Sequence, residues 1–168
     1  MFIDFSSAFN SIHPDILLRK LALLGVNPLI IRWYFSFLTK RPQRVRFNDV
    51  FSEEALCSTG VPQGTVSSSF VFTLYTNDYV SSYPNQYVIN FSDDTVILSL
   101  LTSKSDLHSH TAGVDRYAEW CDQNYLIINT KKTEEVIMDP RSIGDHTIIS
   151  IHNNVISQVS IQVPRSAN

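Results

Sequence analysis

Two β-rich apolar runs, Tyr87-Val88-Ile89-Asn90-Phe91 and Thr95-Val96-Ile97-Leu98, are joined by Ser92-Asp93-Asp94. Runs this short and this rich in Val, Ile and aromatics read as strands, and so brief a joint reads as a hairpin. Arms that are nearly all apolar belong in a sheet with a core against it, so the bend sets two adjacent carboxylates at the core's mouth. Like charges in that position repel, and desolvation raises the cost. A divalent cation relieves both problems, and oxygen ligands with no His or Cys nearby select Mg²⁺ or Mn²⁺. Asp-Asp is also ordinary turn chemistry, and the residues alone leave that alternative open. A third carboxylate, Asp4, lies in the short apolar run Met1-Phe2-Ile3-Asp4-Phe5. If that strand lies beside the hairpin, Asp4, Asp93 and Asp94 meet at one end of the sheet.

The rest of the chain supplies helices to cover such a sheet. Pro14 is a good first helical residue, and Ile16, Leu17, Lys20, Leu21 and Leu24 keep helical spacing up to a stop at Gly25. Asn27 caps a second helix running from Pro28 to about Leu38. From Gln43 to Asn48, Val45 and Phe47 alternate with Arg44 and Arg46, which predicts a half-buried strand with both arginines on its outer side. A loop with two glycines and a proline, 58–65, precedes a helix from Val66 to about Tyr79. Ser105 to Asn124 reads as a helix with Leu107, Val114, Tyr117, Ala118 and Cys121 on its apolar side. Short strands are expected at Tyr125–Ile128, Val136–Met138, Thr147–Ile151 and Val155–Val159. Strands grouped in hairpins, without regular alternation with helices, predict an α+β fold with a largely antiparallel sheet packed against helices.

Charge adds a second surface. Net charge is −3, but Arg19, Lys20, Arg32, Lys40, Arg41, Arg44 and Arg46 fall in a stretch without one acid. All 16 acids lie elsewhere. Such an asymmetry suggests a polyanion-facing surface beside a carboxylate-rich site; the alternative is solvated Lys and Arg on amphipathic elements. The apolar stretch Phe70 to Val80 is broken by Thr73, Thr76, Asn77 and Asp78 and falls short of the ~20 residues of a membrane span. The opening Met-Phe-Ile-Asp has no basic region of the kind a signal peptide carries. Cys57 and Cys121 form no framework, which fits a reducing, intracellular setting.

Four stretches together resemble the reverse transcriptases of non-LTR (LINE-type) retrotransposons. Phe2-Ile3-Asp4-Phe5-Ser6-Ser7-Ala8-Phe9-Asn10-Ser11-Ile12 is similar to the family's first palm motif. Gly60-Val61-Pro62-Gln63-Gly64-Thr65-Val66 is similar to the second core motif, and Phe91-Ser92-Asp93-Asp94-Thr95 to the aromatic-x-Asp-Asp box. The stretch from Trp120 through Asn129 and Lys132 to Glu134 resembles the region that follows. Order and spacing match over residues 1–159, with 160–168 left as an unassigned tail.

The resemblance implies a polymerase palm with RNA-directed DNA polymerase activity on an RNA template, a DNA primer and deoxynucleoside triphosphates. It implies that Asp4, Asp93 and Asp94 hold two Mg²⁺ or Mn²⁺ ions for nucleotidyl transfer. By the same match Phe9 is a steric gate under the incoming sugar, Gln63 and Gly64 contact the nucleotide, and Lys132 aids pyrophosphate departure. Arg41, Arg44 and Arg46 are the phosphate candidates for a primer-template duplex. The chain departs from the family at Asn10, where Asp is usual, at Ser67-Ser68-Ser69, which lacks a proline, and at Ser92, where Ala is usual. It opens inside the first motif, so the expectation is a palm without fingers or thumb and without turnover alone. The alternative is a non-catalytic relic that binds nucleic acid through its basic segment. Nuclear localisation is the expectation if the chain belongs to an active element.

Overall fold

The computed structural model describes residues 1–138 and 148–161. From the N-terminus it runs through β1 (Phe2–Ile3), a 3-10 turn (Ala8–Asn10), α1 (Pro14–Leu23) and α2 (Pro28–Leu38). An arm follows: β2 (Arg41–Gln43), β3 (Arg46–Phe47), β4 (Val50–Phe51) and β5 (Ala55–Cys57). Then come α3 (Val66–Thr76), β6 (Gln86–Phe91), β7 (Asp94–Ser99), α4 (Lys104–Gln123) and β8 (Glu134–Met138). The last described elements are β9 (Ser150–Ile151), β10 (Asn154–Val155) and β11 (Ser157–Ile161).

The helix signals act locally and hold. Gly25, at φ +72°, closes α1 in a Schellman motif, its N–H donating to Ala22 O while Val26 N–H donates to Leu21 O. The Asn27 side chain accepts from Leu29 N–H at 2.9 Å and caps α2. Ser103 and Asp106 form a reciprocal capping box at the start of α4. Hydrogen bonds donated to Asp106 by Thr102, then Ser103, hold its carboxyl down at about 2.

The main sheet has the order β11-β8-β1-β7-β6. β1 pairs antiparallel with both β7 and β8, and β6 with β7, whereas β8 and β11 run parallel. The expected β1–hairpin neighbourhood is therefore present, in the register Phe2↔Val96 and Ile3↔Thr95. One face carries the buried Ile3, Thr95 and Ile97 and packs on the helices. α4 contributes His110, Gly113, Val114, Tyr117, Ala118 and Cys121 to this core, spaced three and four apart. Leu107, expected among them, is only half-buried. The other face exposes Phe2, Tyr87, Ile89, Leu98 and Met138. Among the described residues no helix is long and apolar enough to cross a membrane.

A buried polar network ties α4 to three strands. His110 Nδ1 meets the Ser99 hydroxyl at 2.7 Å, and its Nε2 meets Glu135 at 3.0 Å. Gln158 Nε2 donates to the other Glu135 oxygen at 2.6 Å. Burial pushes the Glu135 carboxyl up, but the bonds from His110 and Gln158 outweigh it and hold the group below its ordinary range.

Several expectations need correction. The single strand over 43–48 breaks at Arg44 and Val45 into β2 and β3. Val45 and Phe47 do not face inward: they are 68% and 77% exposed, because among the described residues no helix or sheet lies over the arm. Residues 125–128 form no strand; one bridge, Phe5↔Ile128, stands in their place. Val155 belongs to the β9–β10 hairpin, which turns at His152-Asn153, both at positive φ, as a two-residue I′ turn requires. β11 begins at Ser157 and continues through Ser160 and Ile161, past the boundary set at Val159. Thr147 and the tail residues 162–168 lie outside the described residues. Lys20 is no part of a basic surface. Its Nζ is buried, donating to Tyr75 O and bonding Asp78, both at 2.6 Å, over the Tyr75 and Trp120 rings.

Candidate active site

The end of β1 is held by the segment after α4. Asp4 N–H donates to the buried Thr133 hydroxyl at 3.3 Å, and Asp4 C=O accepts from Asn129 N–H at 2.8 Å. Asn129 C=O in turn accepts from the N–H groups of Lys132 and Thr133, so the same turn that clamps Asp4 brings Lys132 alongside. Across the sheet, Ser92 and Asp93 form the two-residue turn between β6 and β7, with Ser92 at φ +56°. Hairpins of this length favour positive φ at the first turn position.

The second wall comes from the loop 58–65. Gly60 N–H donates to Ile12 O at 2.7 Å and Val61 N–H to Phe9 O at 2.8 Å. Gly60 sits at φ +73°, where a Cβ would meet Asn10 Cα at 2.8 Å, so only glycine allows the loop to dock this closely. Gly64, at φ +79°, faces open space.

These segments enclose a cleft of about 470 Å³. Asp4, Phe9, Gln63, Gly64, Asp93 and Lys132 all line it, brought together from four stretches distant in sequence. The Phe9 ring lies 5.6 Å from that of Phe72, which is fully buried, so Phe9 is both a core contact and a wall of the cleft. Gln63 is exposed, with one long contact of 3.5 Å from its Nε2 to Asn10 Oδ1. A smaller cavity of about 50 Å³ lies between Tyr83, Ser99 and His110, room for a water or two, and includes none of these residues.

Asp94 is the exception. It does not line the cleft but begins β7, paired with Phe91. Carrying the β1–β7 register one residue on sets it opposite Asp4 at the end of the two strands. Both Asp93 and Asp94 are exposed, which removes the desolvation reason for expecting a cation at the bend. Among the described residues no three His, Cys, Asp or Glu side chains converge as a metal-holding group. The donors that do share the cleft, Asp4 and Asp93, are hard oxygens, and Mg²⁺ is commonly held by one or two carboxylates plus substrate phosphates. Asn129 also lines the cleft. It sits within the stretch that resembles the family, three residues before Lys132, and that spacing was the available signal.

The three arginines have partners of their own. Arg44 pairs with Glu54 at 3.0 Å. Arg46 lies 3.7 Å from Asp49, donates to Asn48 O at 2.8 Å and stands over the Phe51 ring. Arg41 Nη2 donates to the carbonyls of Thr59 and Gly60 at 2.8 and 2.9 Å.

Comparison with known proteins gives the family. The chain is 28% identical over 148 residues to the probable RNA-directed DNA polymerase from transposon BS of Drosophila melanogaster, across 79% of this chain and 16% of that protein. It is 25% identical over 167 residues to the RNA-directed DNA polymerase from mobile element jockey of the same organism, across 92% of this chain and 18% of that one. A third relative, the probable RNA-directed DNA polymerase from transposon X-element, is 30% identical over 109 residues, across 60% of this chain and 12% of the relative. The chain thus spans less than a fifth of the length of these relatives. The family model described as reverse transcriptase (RNA-dependent DNA polymerase) matches residues 1–160, which take in both carboxylate-bearing strand ends, the glycine loop and the Lys132 turn. On that match the chain belongs to the reverse transcriptase family.

Proposed function

We propose that this chain is the palm-like nucleotidyl-transfer core of an RNA-directed DNA polymerase of a LINE-type element. Its substrates would be a deoxynucleoside triphosphate and the 3′-hydroxyl of a DNA primer paired to an RNA template. One observation carries the reading: Asp4, Asp93, Phe9, Gln63, Gly64 and Lys132 line one cleft. The residues that would hold divalent ions are Asp4 and Asp93, with phosphate oxygens and water completing each shell and Asp94 at the margin. Two bound Mg²⁺ or Mn²⁺ ions would activate the primer hydroxyl and offset charge on the leaving pyrophosphate.

The remaining roles belong to the chain's own groups. Phe9, braced by Phe72, stands on the cleft wall, where its ring under the sugar would crowd a 2′-hydroxyl. Gly64 leaves open space at its Cα, so backbone approaches the nucleotide closely while Gln63 donates or accepts from its amide. Lys132 supplies a cation on the cleft wall for the departing pyrophosphate. The rival reading, nucleic-acid binding without catalysis, is weakened by the acidic partners of Arg44 and Arg46, which cancel much of the arm's charge.

Titration calorimetry with a deoxynucleoside triphosphate tests the proposal. Binding should require Mg²⁺ and weaken about tenfold or more in Asp4→Asn and in Asp93→Asn, with a smaller effect in Asp94→Asn. A wild-type chain that binds duplex but no nucleotide would leave the rival reading standing.

A further inference from the structure

We propose that Arg41 is a positioning residue for the cleft: it holds the loop 58–65 from the arm side and so sets where Gln63 and Gly64 stand. The proposal rests on the nucleotide reading of the cleft and departs from the phosphate role expected for this arginine.

The Gly60 peptide is gripped from both sides. Its N–H donates inward to Ile12 O at 2.7 Å, and its C=O accepts outward from Arg41 Nη2 at 2.9 Å. The same Nη2 reaches Thr59 O at 2.8 Å, and Val61 N–H is bound to Phe9 O at 2.8 Å. The loop cannot sink further toward the body, because Gly60 already lies against Asn10 and Phe9 backbone with no room for a Cβ. It cannot lift away without breaking charge-assisted bonds, the stronger kind of hydrogen bond. Beyond this grip Gln63 has, among the described residues, only its long contact to Asn10, so its position is inherited from the anchored residues before it.

The arm places the arginine beside the loop. Arg41 pairs with Cys57 across the β2–β5 ladder, and the loop begins at the next residue, Ser58. The Arg41 Nε is enclosed, with no acceptor among the described residues. Such an enclosed donor is unfavourable, so the guanidinium is oriented by the two carbonyls and not by its own best solvation. With Nη2 engaged and Nε enclosed, the paired donors of a two-pronged phosphate contact are taken, and only Nη1 is left for one.

The experiment uses the full chain as wild type, Arg41→Met, Arg41→Lys, Gln63→Ala and the Arg41→Met/Gln63→Ala double variant. Amide exchange reports the loop directly. Arg41→Met should speed exchange at Gly60 and Val61 about tenfold while the α4 amides keep their protection. Deoxynucleoside triphosphate affinity with Mg²⁺ should fall about tenfold in Arg41→Met and recover in Arg41→Lys, whose ammonium still donates to backbone carbonyls. If Arg41 acts through the loop, the double variant loses clearly less than the sum of the two single losses. Unchanged exchange at Gly60 and Val61 would overturn the proposal, and so would additive losses in the double variant, which mean direct contact with the ligand. A wild type that binds no nucleotide sinks the reading of the cleft, while loop exchange still decides whether Arg41 holds the loop.

Discussion

The arm over 41–57 and the β6–β7 hairpin are made of the same materials: short antiparallel ladders that carry apolar side chains and are closed by tight turns. In the hairpin, Thr95 and Ile97 are each 1% exposed, with β1 alongside and α4 packed beneath. In the arm, Val45, Phe47, Val50 and Phe51 are all more than half exposed, and the β3–β4 ladder has two residue pairs against six in β6–β7. Alternation sets which way side chains point, not what they meet. A two-stranded ribbon is marginal alone, so the arm depends on Arg41, on the ion pair of Arg44 with Glu54 and on its junction with the loop.

The comparison is sharpened most by truncating an aromatic in each region. Phe72 is fully buried against Phe5 and Phe9, so Phe72→Ala should destabilise the chain by about 3–5 kcal/mol in a urea titration. Phe47→Ala should fall within about 0.5 kcal/mol of wild type. Equal losses would mean that the arm is buried in solution, and the contrast would fail.

The glycines of the cleft loop offer the next largest effect. Gly60→Ala combines a left-handed φ with a backbone collision and should cost about 2–3 kcal/mol. Gly64→Ala meets open space and should cost about 1–2 kcal/mol from its φ alone. Thermal melts that rank the two in reverse would refute the close docking of the loop on the Phe9 turn.

Metal addition is expected to act on the body and not the arm. A cation binding the native cleft at ten times its Kd stabilises by ~1.4 kcal/mol, read as a rise in Tm with Mg²⁺. The rise should shrink in Asp93→Asn, which removes one ligand, and persist in Asp115→Asn, on the exposed side of α4. A Tm indifferent to millimolar Mg²⁺ in both wild type and Asp93→Asn counts against a preformed site.

The smallest effect is set by pH. The Asp106 carboxyl is held at about 2 by bonds from Thr102 and Ser103, below its unfolded value near ~3.9. A depressed folded value means that the capping contribution is complete above the unfolded pKa and is lost as pH falls toward 2. Asp106→Asn should therefore flatten the acid limb of a stability–pH curve in that window. An unchanged limb would show that the capping box contributes nothing to acid stability.

Legibility follows the range of the interaction that decides each feature. Asn27, Pro28 and Gly25 act within one turn of chain, so α1 and α2 stand within a residue or two of their expected ends. The β6–β7 hairpin was equally plain, since its strands and turn are contiguous. The break at Arg44 and Val45 was not, because an alternating run keeps its pattern whether or not anything covers it. Lys20 shares the helical stripe of Leu17 and Leu21, but Tyr75, Asp78 and Trp120, which receive its ammonium, lie far along the chain, so spacing alone does not show that the charge is buried. The parallel β8–β11 pairing likewise depends on residues 134–138 meeting 157–161, a long-range match that local pattern does not specify.

The candidate site divides in the same way. By itself the sequence determined its chemistry: two carboxylate-bearing strand ends, a glycine loop and a lysine turn, in an order that identifies the family. Only the tertiary structure decided that Asp4 and Asp93 share a cleft while Asp94 does not. Asp93 stands in the β6–β7 turn, whereas Asp94 is the first residue of β7 and is held in the ladder by Phe91, so a single step along the chain separates a cleft wall from a paired strand position. That placement is held by pairs distant in sequence, Ile3 with Thr95 and Asp4 with Thr133 and Asn129.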